Sequence, residues 1–267
     1  MTNNDEPLFN AGATVYDSFT FLRSPAELTA EKAELLPGQK VLDIACGSGW
    51  ATMKVARIVG EKGHVTGIDI ADKLLDVARW KAASEGLMNI EYLVGDAQKL
   101  SFDDNTYDAI LCASSLFLFK DIPRVLSECY RVLKTDSTMV FSTFGKNVFQ
   151  FVTKLINDWI TQHETNVFPD SPISVTDSPE KCREVFVKEG FENVEIFEET
   201  CVAHFHDKEE CWRQISGSLI VRPRLSCLTP DDHKRLKEQI LSELEKLVTF
   251  QGVSVSLPLI FCAVNKL

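Results

Sequence analysis

Val41-Leu42-Asp43-Ile44-Ala45-Cys46-Gly47-Ser48-Gly49-Trp50 is the stretch that decides the fold of this 267-residue chain. Its apolar first half has the character of a buried strand and stops at a turn of small residues. Beyond the turn, Ala51, Val55, Ile58 and Val59 recur at helical spacing up to Gly60, a suitable C-terminal stop. Strand, glycine turn and helix in this order form the place where a parallel sheet binds a nucleoside-containing cofactor at its carboxyl edge.

Outward from that unit, strands are expected over 40–44, 64–70, 90–94, 108–113 and 138–144. Helices are expected within 11–36 and over 50–59, 72–85 (capped by Asp72 and stopped by Gly86) and 122–133. The alternation predicts an α/β fold, a Rossmann-like doubly wound sheet that is mostly parallel with right-handed crossovers and an antiparallel last strand. After Phe144 the rhythm changes. An aromatic-rich amphipathic helix over 147–163 and a Pro/Ser/Asp-rich loop over 164–178 precede one more helix–strand pair, 179–189 and 191–198. Residues 207–250 read as helical in two parts broken near Pro223 and Pro230. A strand over 253–264 closes the chain, with Pro258 suggesting an edge position or a bulge. The expected organisation is a single domain, 1–267. Its core spans about 37–145, 179–200 and 252–267, with N-terminal lid helices in 1–36 and helical lid insertions at about 146–178 and 201–251.

A formal net charge of −11 counts against a nucleic-acid partner or an anionic membrane surface, either of which calls for a basic face. The 45% hydrophobic content suits a globular protein with a sizeable core. Eight cysteines are scattered without any C-x-x-C pair, which points to reduced structural thiols and to no metal site. No apolar stretch approaches the ~20 residues of a membrane span, and Met1 to Asn10 lacks the basic and apolar regions of a secretory signal. The expectation is a cytoplasmic protein. No coiled-coil heptad marks an oligomerisation seam, so the oligomeric state stays open.

The glycines alone do not choose the cofactor. Gly47 and Gly49 fit the start of a dinucleotide G-x-G-x-x-G, but Thr52 stands at the third position. Asp69, at the end of the second strand, suits ribose hydroxyls, which NAD and S-adenosylmethionine share; its plainer reading is a turn residue. Gly95-Asp96-Ala97 follows the third strand. An acid there can accept from an adenine amine, with the neighbouring backbone N–H serving the ring, or it can simply close an Asp turn.

Together, Val41 to Gly49, Gly67-Ile68-Asp69-Ile70, Gly95-Asp96-Ala97 and Arg131-Val132-Leu133-Lys134 resemble the motifs of class I S-adenosylmethionine-dependent methyltransferases. The likeness is to the small-molecule branch typified by ubiquinone/menaquinone-biosynthesis methyltransferases, and it covers residues 9–145 most strongly. It implies that Asp43 organises the loop and reaches the methionine amino group through water. It further implies that Ala45, Cys46, Gly47, Gly49 and Cys112 line the methionyl end with backbone, that Asp69 holds the ribose, and that Asp96 with Ile70 and Ala97 frames the adenine. Phe9, Tyr16 and Phe19 resemble the aromatic segment that closes over the cofactor, with Tyr16 touching the cofactor and Phe19, Phe117 and Phe149 facing the acceptor.

The chain departs from the family pattern in three places. Ala45 replaces a glycine, which is acceptable if its φ stays negative. Lys134-Thr135-Asp136-Ser137 replaces Lys-Pro-Gly-Gly. Leu116-Phe117-Leu118-Phe119-Lys120-Asp121 stands where many relatives carry Leu-His-His, so a histidine base is missing there. Of the remaining candidates, His64, His163, His204, His206 and His233 read as surface or satisfied residues, and Tyr16 would need a strongly lowered pKa. The catalytic base is left unassigned. Phe144, Phe149, Phe151, Trp159, Phe168, Phe205 and Trp212 read as lid-to-core packing and, as a set, as the wall of a hydrophobic pocket. Arg222 and Arg224 read as a solvated loop or as partners of an acidic substrate group.

The implied activity is in-line transfer of a methyl group from S-adenosylmethionine to an O, N or C atom of a small, hydrophobic or aromatic acceptor, with S-adenosylhomocysteine as product. The alternatives are a methyltransferase fold that binds the cofactor without methyl transfer and an NAD-dependent oxidoreductase. The last lacks both the third glycine and a recognisable hydride-transfer acid.

Overall fold

A computed structural model describes residue 10 and residues 16–162, 171–191 and 193–266. Phe9, His163 and Phe168 lie outside the described residues. The strands are β1 (Lys40–Ile44), β2 (His64–Asp69), β3 (Ile90–Val94), β4 (Tyr107–Cys112), β5 (Leu133–Phe144), β6 (Val194–Phe205), β7 (Val248–Thr249) and β8 (Gly252–Lys266). They form one sheet in the order β3-β2-β1-β4-β5-β8-β6, with β7 pairing on β8. β1 to β5 are parallel, and β8 runs antiparallel between β5 and β6. This is the doubly wound, mostly parallel sheet that the sequence predicts.

Alternation along the strands explains the layers. Val41, Ala109, Leu111 and Val140 bury on one face with Val55 and Val59, while Leu42, Ile110, Cys112 and Met139 bury on the other with Val125 and Phe186. Helix α1 (Arg23–Lys32) and α2 (Trp50–Val59) supply the first cover, and α4 (Ile122–Val132) and α6 (Pro179–Lys188) the second; α3 (Asp72–Ser84) packs beside β2 and β3. Both faces are therefore covered, as a parallel sheet requires. Further helices are α5 (Gln150–Gln162), α7 (Lys208–Gly217), α8 (Arg222–Leu225) and α9 (Pro230–Glu245). They join a second, aromatic-rich cluster that contains Phe144, Phe149, Phe205 and Trp212.

Three local expectations are corrected. Pro258 is neither at an edge nor in a bulge, because β8 is internal and Pro258 sits opposite Thr200 of β6. Its carbonyl accepts from Gly145 N at 2.8 Å, just past the last β5 pair, Phe144–Leu259, so the missing N–H falls where the β5 ladder ends. Asp72 does not cap α3. The N-cap is Ala71, without a side-chain cap, and the Ala71 N–H donates to Asp69 Oδ1 at 2.9 Å. Ala45 has φ +52 rather than a negative value. The turn after β1 thus places a residue bearing Cβ in the left-handed region, at a cost of about 1–2 kcal/mol.

Gly49, the N-cap of α2, has φ +84, and a Cβ added there would lie 2.5 Å from Tyr92 Oη and 3.1 Å from Ala78 Cβ. Gly60, at the other end of α2, has φ +67 with no atom within 4 Å of such a Cβ. Gly49→Ala is therefore expected to lose on the order of 2–4 kcal/mol of stability, and Gly60→Ala about 1 kcal/mol from backbone strain alone. Urea denaturation of both variants checks the difference; equal losses would show that the Tyr92 contact is immaterial.

Candidate functional site

Strand order reverses between β1 and β4, and the carboxyl ends of these strands open into two adjoining cavities, the position where open α/β sheets bind ligands. The larger, about 610 Å³, is walled by Phe19, Phe21, Leu22, Phe117, Leu118 and Phe144, with Ala45, Gly47 and Asp69 on one side and Ser218, Leu219 and Ile220 on another. The smaller, about 370 Å³, is lined by Asp43, Ala45, Cys46, Ser48 and Trp50. Tyr16, Leu22, Ala45 and Ser114 belong to both.

The buried acids organise this edge. Asp69 accepts from Gly47 N and Ala71 N, both at 2.9 Å, one on each carboxylate oxygen. Burial pushes its pKa up, and these backbone N–H groups oppose the shift. Asp43 is fully buried at the end of β1 and accepts from Thr52 Oγ1 of α2 at 2.6 Å. Its other oxygen has no partner. Burial raises the Asp43 pKa to about 7; the Thr52 hydrogen bond lowers it and the negative charge of Asp69 raises it. Burial also pushes the Cys46 thiol and the Tyr16 phenol up, with neighbouring acids adding to both.

An N-terminal segment covers the turn. A Cβ on Gly47 would lie 3.2 Å from Tyr16 Cε1 and Oη, so the phenol ring rests directly on the glycine loop. Next to it, Lys81 Nζ donates to Asp17 at 2.7 Å and to Ser48 Oγ at 3.2 Å, and sits 3.6 Å from the centre of the Trp50 ring. Lys81 is buried, which lowers its pKa against the opposing effect of Asp17.

The structure brings Tyr16, Asp43, Ala45, Cys46, Gly47, Asp69, Phe19 and Phe117 to the cavity walls. Gly49 lies behind the loop against Tyr92. Ile70, Asp96, Ala97 and Cys112 line neither cavity. Ile70, Ala97 and Cys112 are buried in the main core, and Asp96 Oδ1 accepts from its own turn, Gln98 N, at 2.9 Å. Phe149 is corrected: it is fully buried and stacks edge-on behind Phe21 at 5.2 Å, so Phe21 forms the wall in its place. None of the described histidines lines either cavity, nor does Arg222 or Arg224. Among the described residues no cluster of His, Cys, Asp and Glu could hold a metal ion, and no helix is long and apolar enough to cross a membrane.

Sequence reasoning missed Ser114, Lys81 and the 218–220 segment. Ser114 had a signal, since it follows the carboxyl end of β4. Lys81 had none, because its partner lies 64 residues away.

The orphaned Asp43 oxygen in the smaller cavity and the orphaned Ser114 hydroxyl at the cavity junction, both buried, fit a ligand that brings polar hydrogens there. Comparison with known proteins places the chain in a family. The ubiquinone/menaquinone biosynthesis C-methyltransferase of Haemophilus ducreyi is 35% identical over 157 residues, 56% of this chain and 61% of that protein. The chain thus matches somewhat less than two thirds of the length of such relatives. Among solved structures, the YcgJ protein of Bacillus subtilis aligns with TM-score 0.60 at 18% identity, over 91% of this chain and 99% of that one. A phosphoethanolamine N-methyltransferase of Haemonchus contortus, solved with S-adenosyl-L-methionine, aligns with TM-score 0.58 at 18% identity, over 97% of this chain and 60% of that one. These two likenesses concern the fold. The model of the ubiE/COQ5 methyltransferase family matches residues 16–201, and the chain belongs to that S-adenosylmethionine-dependent family.

Proposed function

We propose that this protein transfers a methyl group from S-adenosylmethionine to a small, predominantly apolar acceptor. The observation that carries the reading is the pair of cavities that meet at Ala45 and Ser114, the smaller lined by buried Asp43 and the larger walled by aromatic rings with buried Asp69 at one side. Bound S-adenosylmethionine supplies an electrophilic methyl group on a sulfonium centre and leaves as S-adenosylhomocysteine.

The residues present suit that cofactor. Asp43, when ionised, offers its unpartnered oxygen to the amino group, directly or through water. Asp69 has used one acceptor direction of each oxygen on backbone N–H groups and can turn the others to ribose hydroxyls. Backbone at Ala45, Cys46 and Gly47 allows close approach of the methionyl end, with Gly49 and Cys112 behind it, and we assign the adenine to Ile70, Asp96 and Ala97, which lie outside the two cavities. Phe19, Phe117 and Phe144 exclude water and hold the acceptor; Phe149 supports Phe21 from behind. Positioning of this kind can supply roughly 7–11 kcal/mol of the barrier. No base is assigned. Burial and nearby acids hold the Tyr16 phenol protonated, so the acceptor must arrive nucleophilic or lose its proton elsewhere.

Calorimetric titration with S-adenosylhomocysteine is expected to show binding, and absence of binding overturns the reading. Release of S-adenosylhomocysteine across a panel of uncharged aromatic acceptors then separates methyl transfer from binding alone.

Asp69→Ala is expected to weaken that binding by on the order of 2–4 kcal/mol. It also strands the Gly47 and Ala71 N–H groups, so the ligand-free variant should lose about 1–3 kcal/mol of stability. Affinity that survives while stability falls would reduce Asp69 to a turn residue.

Asp43 makes both binding and stability depend on pH. With a folded pKa of about 7, only its ionised form attracts a cationic amino group, so affinity should fall roughly tenfold between pH 8 and pH 6. The folded pKa lies above the unfolded value, so the folded protein binds the extra proton. The resulting stabilisation is complete below the unfolded carboxylate pKa and is lost as pH rises through about 7. Asp43→Asn is expected to flatten this slope, to raise ligand-free stability at pH 8 by on the order of 1–3 kcal/mol, and to weaken cofactor binding. Denaturation and titration at pH 6 and pH 8 check all three; unchanged slopes would place the titration on another group.

A further inference from the structure

We propose that Ser114 selects the acceptor, its side-chain hydroxyl forming a hydrogen bond with an oxygen on an otherwise apolar ring or chain; this rests on the methyl-transfer reading above. Ser114 follows the carboxyl end of β4 and lines both cavities, so it stands where cofactor and acceptor meet. Its Oγ is buried and has no hydrogen-bond partner. The other two serines of the acceptor cavity are already engaged. Ser115 Oγ donates to Ala113 O at 3.0 Å, and Ser218 Oγ donates to Ile215 O at 2.7 Å while accepting from Val221 N. Phe19, Phe117, Leu118 and Phe144 offer no polar side-chain atom; Tyr16 rests on the glycine loop and Asp69 is engaged by the Gly47 and Ala71 N–H groups, which leaves Ser114 as the buried, unpartnered hydroxyl for an acceptor oxygen that loses its water there.

The backbone holds this hydroxyl in place at a cost. Ser114 has φ +53, the left-handed region that favours glycine. Its N–H donates to Ser142 Oγ of β5 at 2.9 Å. Ser142 lies 2.7 Å from Thr29 Oγ1 of α1, and Thr29 spends its own proton on Pro25 O at 2.7 Å. Ser142 therefore donates to Thr29 and accepts from Ser114, which fixes the direction of the relay. Two elements, β5 and α1, thus fasten the Ser114 backbone and leave its hydroxyl out. Glycine would remove both the strain and the unsatisfied hydroxyl, whereas a hydrogen bond to the acceptor gives the serine its use.

The test measures affinities of 2-naphthol and naphthalene for the protein saturated with S-adenosylhomocysteine. The wild type is expected to prefer 2-naphthol by roughly 5- to 10-fold more than Ser114→Gly does. Glycine suits the positive φ, so this variant should fold, and Ser114→Ala gives an independent reading. The ratio of the two affinities cancels any general loss of binding. Ser142→Ala, a positioning change, should erode the preference partially. A wild-type ratio retained in Ser114→Gly, no preference in the wild type, or binding of neither probe overturns the proposal. Failure to take up S-adenosylhomocysteine in the first place overturns the methyl-transfer reading, and this proposal falls with it.

Discussion

A single buried carboxylate fastens together the two loops that create the site. Asp69 takes the Gly47 N–H on one oxygen and the Ala71 N–H on the other. The first bond holds the glycine turn after β1, and the second sets the start of α3. Both amides lie in loops, where no strand or helix ladder satisfies them. Desolvation works against the arrangement by raising the Asp69 pKa, and the two hydrogen bonds oppose that rise. Because Asp69 ends β2 beside β1, the parallel register of these strands delivers the carboxylate to the turn. The sheet positions the acid, and the acid then shapes the loops.

The N-terminal segment is attached to that edge by a different kind of contact. Lys81 of α3 reaches Asp17 and Ser48 while its ammonium lies over Trp50, and the Arg23 guanidinium sits 5.0 Å from the same ring. Trp50, the first residue of α2, is thus gripped by two cations from other elements. Farther along, Tyr16, Phe19, Phe21 and Phe149 form a run of ring contacts that leads from the glycine turn into the aromatic core. Phe149 has no room to face a ligand because it ends this run.

Legibility followed range. The glycine turn, the strand over 40–44 and the helix over 50–59 were readable because their signals are local: alternation, helical spacing and a glycine at each end of the helix. The doubly wound, mostly parallel architecture followed from the repeating crossover. Errors arose wherever a distant partner decides the conformation. Ala45 was expected at negative φ from its side chain alone, but its turn is fastened by Asp69. Pro258 was expected at an edge from its missing N–H, but β5 stops one residue before that N–H would be needed. Asp72 had the composition of a cap, yet Asp69, from the strand end, serves the α3 terminus. Phe117 and Phe149 carry the same side chain, and only tertiary packing sends one to a cavity wall and the other into the core.

The electrostatics of the turn set what the acid edge of the site asks of a ligand. Asp43, Asp69, Cys46 and Tyr16 lie close enough that each raises or is raised by another, and burial pushes all four toward their protonated forms. Without a counter-charge, ionising Asp43 near neutral pH places a desolvated anion beside a second acid, which is unfavourable. A cation seated there reverses the sign. It draws Asp43 into the ionised state, satisfies its orphaned oxygen, and relieves repulsion that the ligand-free fold carries as lost stability. A ligand with an ammonium group and a sulfonium meets this demand on the acid side. Its reacting end then faces a mainly aromatic wall, where the one carboxylate, Asp69, is already engaged by two backbone N–H groups. Gathering the acids at the glycine turn and the aromatic rings at the far wall lets binding energy come from the turn while the methyl group is presented, dry, to the rings.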